Sequence, residues 1–173
     1  MRTYKTKEAL QVVGRISQNQ LVHWAEKGIV PPSAQDADGH GSYRLYTFKD
    51  LVKMAVVKEL LGLGMSLRTI RVILDSMIDA KYGDRVRGGD EKLYANLWDG
   101  LSKNREAFRY LMRFGRIYSR RDDSLAETDA GEVYSFVESI SLPKSVREPV
   151  THALFVNILD IVESIESVTG DSF

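Results

Sequence analysis

Ile16-Ser17-Gln18-Asn19-Gln20-Leu21-Val22-His23-Trp24-Ala25-Glu26-Lys27-Gly28 reads as a short helix with both ends specified. Ser17 is an N-cap residue, and Gln20 stands three positions on, where it can return the bond as a capping box. Ile16 and Leu21 have the spacing of a hydrophobic staple, and Gly28 sits where a helix C-terminus favours a left-handed residue. Leu21, Trp24, Ala25 and Gly28 share one side of this helix. Gln18, Asn19, Val22 and His23 share the other, which carries little acid.

Working outward, the chain places a helix before this one. Lys7 to Val13 has helical patterning after Thr6 and stops at Gly14, so two short helices are joined by a tight turn containing glycine. This is a helix-turn-helix outline. Ile29-Val30-Pro31-Pro32-Ser33 and Ser42-Tyr43-Arg44-Leu45-Tyr46 read as two extended pieces around a polar, Gly-rich loop, which predicts a hairpin or "wing" with an edge first strand. Thr47, with Asp50 three residues in, predicts a helix through Leu61 to the Gly62/Gly64 pair. Ser66 caps the next, with Leu67, Ile70, Ile73 or Leu74, and Met77 on its apolar face. Residues 82–90 have the glycine and charge of a linker.

Beyond it, Leu93, Leu97, Leu101, Asn104, Phe108, Leu111, Gly115 and Tyr118 are spaced 4, 4, 3, 4, 3, 4 and 3 apart, a heptad-like seam suggesting a coiled coil. Leu93, Leu97, Leu101, Phe108 and Leu111 are its candidate dimerisation residues. Ala130–Ile140 and Ser145–Val168 read as two further helices. The fold class expected is mainly α: a winged helix-turn-helix domain over 1–82, then a helical dimerisation and effector-sensing region over 83–173.

Composition narrows the function classes. Cysteine is absent, which excludes disulfides, thiolate catalysis and Cys-based metal sites. No apolar run reaches a membrane span and Met1–Lys5 lacks a signal-peptide core, so the expected address is cytoplasmic. The net charge of zero conceals a division: residues 1–71 carry 11 Lys and Arg against 6 Asp and Glu, so the first part is the one suited to a polyanion.

Tyr4-Lys5-Thr6-Lys7-Glu8-Ala9-Leu10, the Ser17 helix, Gly28-Ile29-Val30-Pro31-Pro32, Gly41-Ser42-Tyr43-Arg44-Leu45-Tyr46 and Leu60 to Ile70 stand in the order found in MerR-type transcriptional regulators. The resemblance covers residues 3–75 and is nearest to the branch with Trp-Ala-x-x-Gly on the second helix and Arg-Leu-Tyr closing the wing. It implies a homodimer on a pseudo-palindromic operator in double-stranded DNA, with recognition helices in major grooves, wings beside them, and RNA polymerase at the same promoter. Where many members carry two arginines and a tyrosine, this chain has Asn19, Val22 and His23, and Arg15 looks like a one-residue insertion. Its base contacts therefore differ from those of such members. After residue 82 no known sensor domain is recognised, so the effector is unidentified, and no cofactor is implied.

Within that frame Gln18 and Asn19 are candidates for base edges, because an amide bonds adenine bidentately. His23 suits a phosphate better than a metal. Lys5, Lys7, Arg15 and Lys49 are candidate phosphate contacts, and Gln20 and Val22 complete the helix face. Tyr43, Arg44 and Tyr46 belong to the wing, with Arg44 directed at a phosphate or minor groove. Trp24 reads as core. Arg105, Arg109, Arg113, Arg116 and Arg120 would form the solvated stripe of a dimerisation helix. His40 and His152 offer no metal spacing, and Asp36-Ala37-Asp38-Gly39 fails as a calcium loop because its twelfth position is Thr47. No phosphate-binding loop, H-E-x-x-H or nucleophile elbow is present, so an enzyme is not expected. The alternatives are an architectural DNA-binding accessory of excisionase or partition type, and a protein-interaction adaptor.

Overall fold

Side-chain caps fix most of the helix boundaries in the first part of the chain. The structure, a computed structural model, describes residues 2–37, 43–80, 85–87, 92–116, 132–137 and 150–172. Strand β1 (Tyr4–Lys5) leads directly into α1 (Thr6–Val13), where Glu8 accepts the Lys5 backbone N–H at 2.7 Å. Helix α2 (Gln18–Glu26) opens on the expected capping box: Gln20 N–H donates to Ser17 Oγ at 3.2 Å, and Ser17 N–H to Gln20 Oε1 at 2.8 Å. Gly28 ends it at φ +64°. Strand β2 (Leu45–Tyr46) precedes α3 (Phe48–Gly62), capped by Thr47 and Asp50, and α4 (Leu67–Ile73) is capped by Ser66. A π-helical turn, Leu74–Ile78, follows.

The described chain forms two compact units, Met1–Asp75 with Asp160–Phe173, and Ser76–Leu159. In the first, α3 is the core helix. Leu51, Val52, Met54, Val56, Val57 and Leu60 are all buried, as are Ala9 and Val13 of α1, Leu21 and Trp24 of α2, and Ile70 and Ile73 of α4. A helix apolar on nearly every side has to be surrounded in this way. The end of the chain belongs to the same unit: Arg2 donates to the Thr169 carbonyl at 2.7 Å, and the buried Tyr4 hydroxyl bonds Asp171.

The wing differs from the expected hairpin. Ile29 and Val30 are buried without forming a strand, and β2 pairs antiparallel with β1, Tyr4 opposite Tyr46 and Lys5 opposite Leu45. Among the described residues, the wing's own pairing is one bridge, Gln35 to Leu45. Pro31 and Pro32 deprive the first piece of two ladder donors, and the N-terminal strand takes that edge.

The second unit overturns the coiled coil. Part of the expected linker forms β3 (Val86–Arg87), paired with β4 (Leu93–Tyr94). Helix α5 (Leu97–Lys103) starts at an Asn96 cap inside the supposed seam and ends at Asn104, where φ is −154°. A 3₁₀ turn (Arg105–Phe108) and strand β5 (Tyr110–Arg116) follow, so the arginine stripe is not helical; Arg120 lies outside the described residues. Leu97, Leu101, Phe108 and Leu111 are buried within the chain and Leu93 is 53% exposed on β4, so no continuous seam joins these five. The apolar spacing has another cause: Gly100 leaves room for the Phe108 ring, which also meets Tyr94 edge-on at 4.9 Å.

The two later helices are corrected in the same way. β6 (Glu132–Val137) and β7 (Val150–Asn157) flank β5 in an antiparallel sheet of order β6-β5-β7. Among the described residues of that stretch, helix begins at α6 (Ile158–Thr169), whose Ile158, Leu159, Val162 and Ile165 are buried. The chain remains mainly helical, and among the described residues no helix is long and apolar enough to cross a membrane.

Candidate nucleic-acid interface

The turn between α1 and α2 is set by its backbone conformation and by one contact from α3. Gly14 and Arg15 both take positive φ, +61° and +55°, which reverses the chain within a few residues. Lys58 of α3 reaches back to the Val13 carbonyl at 3.1 Å, satisfying an acceptor the helix end leaves open. At the far end of α2, Arg71 of α4 donates to the Lys27 carbonyl at 3.1 Å. With Leu21 and Trp24 buried beneath, α2 is fixed along its length.

That anchoring decides which side faces out. Gln18, Asn19, Gln20 and His23 are exposed and Val22 is half-buried. The Gln20 side chain is engaged at the capping box, so Gln18 and Asn19 are the amides presented to solvent. The outward face therefore carries amides and an imidazole with no acid in its first turn, and the exposed Glu26 stands at its last turn.

Between this face and the wing lies a cleft of about 400 Å³, lined by Lys5, Thr6, Lys7, Gln18, Val22, Ala37, Tyr43 and Arg44. Three cations converge there. The Lys5 ammonium sits 4.6 Å from the centre of the Tyr43 ring, a cation–π contact, and Tyr43 is 56% exposed. The Arg44 Nε–H donates to Asp36 Oδ1 at 3.0 Å. That same oxygen accepts the Ala37 N–H at 2.7 Å. The Ala37 bond first, and Arg44 second, hold the Asp36 carboxyl below the usual carboxylate range, so it is an anion at neutral pH. An open cleft lined by three cations, with the Asp36 carboxylate outside its lining, suits a polyanionic backbone better than a small molecule.

The structure gathers Lys5, Lys7, Gln18, Val22, Tyr43 and Arg44 of the sequence candidates into this cleft. Asn19 and His23 lie on the same exposed helix face, while Arg15 and Lys49 are exposed elsewhere on the unit. Tyr46 is corrected. It is wholly buried opposite Tyr4 in the β1–β2 pair, and burial raises its pKa, so it belongs to the core and cannot touch a nucleic acid. Thr6, Ala37 and Asp36 are the residues that sequence reasoning missed. Asp36 reads as a loop acid until the Gln35–Leu45 bridge brings it opposite Arg44.

Residues 4–77 match the family of MerR HTH regulatory proteins. Over 74 residues the chain is 45% identical to uncharacterized HTH-type transcriptional regulators of Mycobacterium bovis and of two strains of Mycobacterium tuberculosis. The match takes in 43% of this chain and 32% of each relative, so the likeness spans about a third of those proteins.

Proposed function

Residues 4–77 being a MerR-type helix-turn-helix domain, we propose that the protein regulates transcription by binding a pseudo-palindromic operator in double-stranded DNA as a homodimer. The observation that carries this is the exposed amide and imidazole face of α2, acid-free in its first turn, beside a cationic cleft. In this reading α2 enters the major groove, with Gln18 and Asn19 on base edges and Val22 against a thymine methyl. Lys5, Lys7 and His23 meet phosphates around the groove, and Arg15 and Lys49 extend the contact along the backbone. Tyr43 and Arg44 carry the wing onto the adjacent backbone.

A homodimer places two α2 helices on half-sites roughly 34 Å apart, one helical turn of duplex. Bending the promoter spacer between them would align it for RNA polymerase. Dimerisation and the sensing of an effector are assigned to the residues from 83 to 159, with packing other than a heptad seam as their means, residues 160–172 being part of the first unit.

Selection from random duplexes tests the reading. The expected result is an enriched inverted repeat whose binding falls steeply with salt, because each neutralised phosphate releases counterion. Weak, salt-insensitive binding with no enriched repeat would overturn it. Arg44→Ala is expected to weaken binding several-fold and reduce the salt slope by about one, with the helical circular dichroism unchanged.

A further inference from the structure

Beside the cleft assigned to the DNA backbone, and paired with its Arg44, stands an acid, Asp36, where a phosphate-binding surface is expected to have none. Asp36 is 64% exposed in its side chain and Arg44 21%. Their contact runs through Arg44 Nε rather than through the terminal nitrogens, and Asp36 Oδ1 is itself fixed by the Ala37 N–H. The neighbouring Gln35–Leu45 bridge ties the two chain segments at this point. A guanidinium is a fork with donors on two edges; engaging Nε orients it and spares the terminal end. A long side chain otherwise loses rotamer freedom when it binds.

We propose that Asp36 is a positioning residue of this interface: it holds Arg44 by Nε so that its terminal nitrogens meet a phosphate, and its own charge limits how tightly the wing binds. The proposal rests on the DNA-binding reading. The two effects oppose each other and are separable by chemistry. Removing the charge while keeping the oxygen retains the orientation and relieves the repulsion between carboxylate and phosphate. At a separation of roughly 6–7 Å in high dielectric, that repulsion corresponds to about threefold in affinity. Removing the whole side chain also relieves the repulsion but releases Arg44.

The test titrates the full-length protein with a random-sequence duplex at several potassium chloride concentrations. Asp36→Asn is expected to bind about threefold tighter than the unaltered chain, with a steeper salt dependence. Asp36→Ala is expected to bind more weakly than Asp36→Asn. In an Arg44→Ala background that difference between Asn and Ala is expected to vanish, because the oriented group is gone. A difference that persists there would show that Asp36 acts on the loop through Ala37, and would overturn the positioning role. Asp36→Asn binding no tighter than the unaltered protein would overturn the charge effect while leaving the DNA-binding reading intact. An unaltered protein that retains no duplex at any salt concentration would overturn both.

Discussion

Arg71 joins α4 to the end of the helix proposed to read DNA: it donates to the Lys27 carbonyl at 3.1 Å and pairs with Asp75, one turn along, at 3.6 Å. The guanidinium lies over Gly28, where an added Cβ would sit 3.5 Å from its terminal nitrogen. A cation on the last carbonyls of a helix satisfies an open acceptor and opposes the negative end of the dipole. Arg71→Ala is expected to cost about 1 kcal/mol, since the side chain is half exposed, and to weaken duplex binding by freeing the end of α2. Gly28→Ala is expected to cost about the same for a different reason. The contact at 3.5 Å is ordinary, but alanine at φ +64° is strained. Chemical denaturation of both variants checks this, and an unchanged midpoint for either would contradict it.

Arg15 follows Gly14 in a second left-handed conformation, φ +55°, and it is exposed. A residue with a Cβ is held there at a cost of roughly 1 kcal/mol, offset only partly by the greater freedom glycine has in the unfolded chain. Arg15→Gly is therefore expected to leave the melting temperature unchanged or slightly raised. If the residue serves a phosphate, duplex affinity falls at the same time and the salt slope drops by about one. Stability and binding moving in opposite directions distinguish a functional cation from a structural one. A fall in both would mark Arg15 as part of the turn alone.

How legible each part was in the sequence follows from the range of its interactions. The helix-turn-helix was legible because its boundaries are set within three residues, by Ser17 with Gln20, Thr47 with Asp50 and Ser66 with Thr69. The β1–β2 pair was not, because Tyr4 meets Tyr46 across the whole helix-turn-helix and two-residue strands leave no alternation to read. The same pairing hid the burial of Tyr46 and the place of Asp36. In the second unit, apolar residues three and four apart imitated a seam, although a cap at Asn96, a helix end at Asn104 and a strand from Tyr110 divide it. Val150–Asn157 and Ile158–Thr169 form one apolar run, which a helical period describes as well as a strand followed by a helix does.

The Tyr4 hydroxyl, buried and bonded to Asp171, ties the end of the chain to β1. Burial first, and then the bond to Asp171, raise its pKa above the usual value of about 10. In the folded protein the proton is therefore kept at a pH where the unfolded chain has begun to lose it. Stability from this group is complete below about pH 10 and declines as the pH rises through the folded value. Tyr46 adds a decline of the same sign. Tyr4→Phe is expected to cost about 1 kcal/mol at neutral pH and to flatten, without abolishing, the alkaline fall in unfolding free energy. A pH profile parallel to that of the unaltered chain would contradict the assignment.

Gly100 separates the two readings of the second unit most sharply. On the solvated side of a long coiled-coil helix, glycine is a weak point, and alanine would stabilise it by roughly 1 kcal/mol. In the observed packing, a Cβ at residue 100 would fall 2.1 Å from Phe108 Cζ, with two more ring carbons within 2.8 Å. Phe108 is fully buried and held edge-on by Tyr94, so its ring has little room to withdraw. Overpacking of this kind costs about 1–3 kcal/mol. Gly100→Ala is thus expected to destabilise, and pairing it with Phe108→Leu is expected to recover part of the loss by making space. Thermal denaturation of the two variants decides the sign: a stabilised Gly100→Ala protein would restore the continuous helix, and a destabilised one rescued by the smaller partner fits α5 folding back on its own 3₁₀ turn.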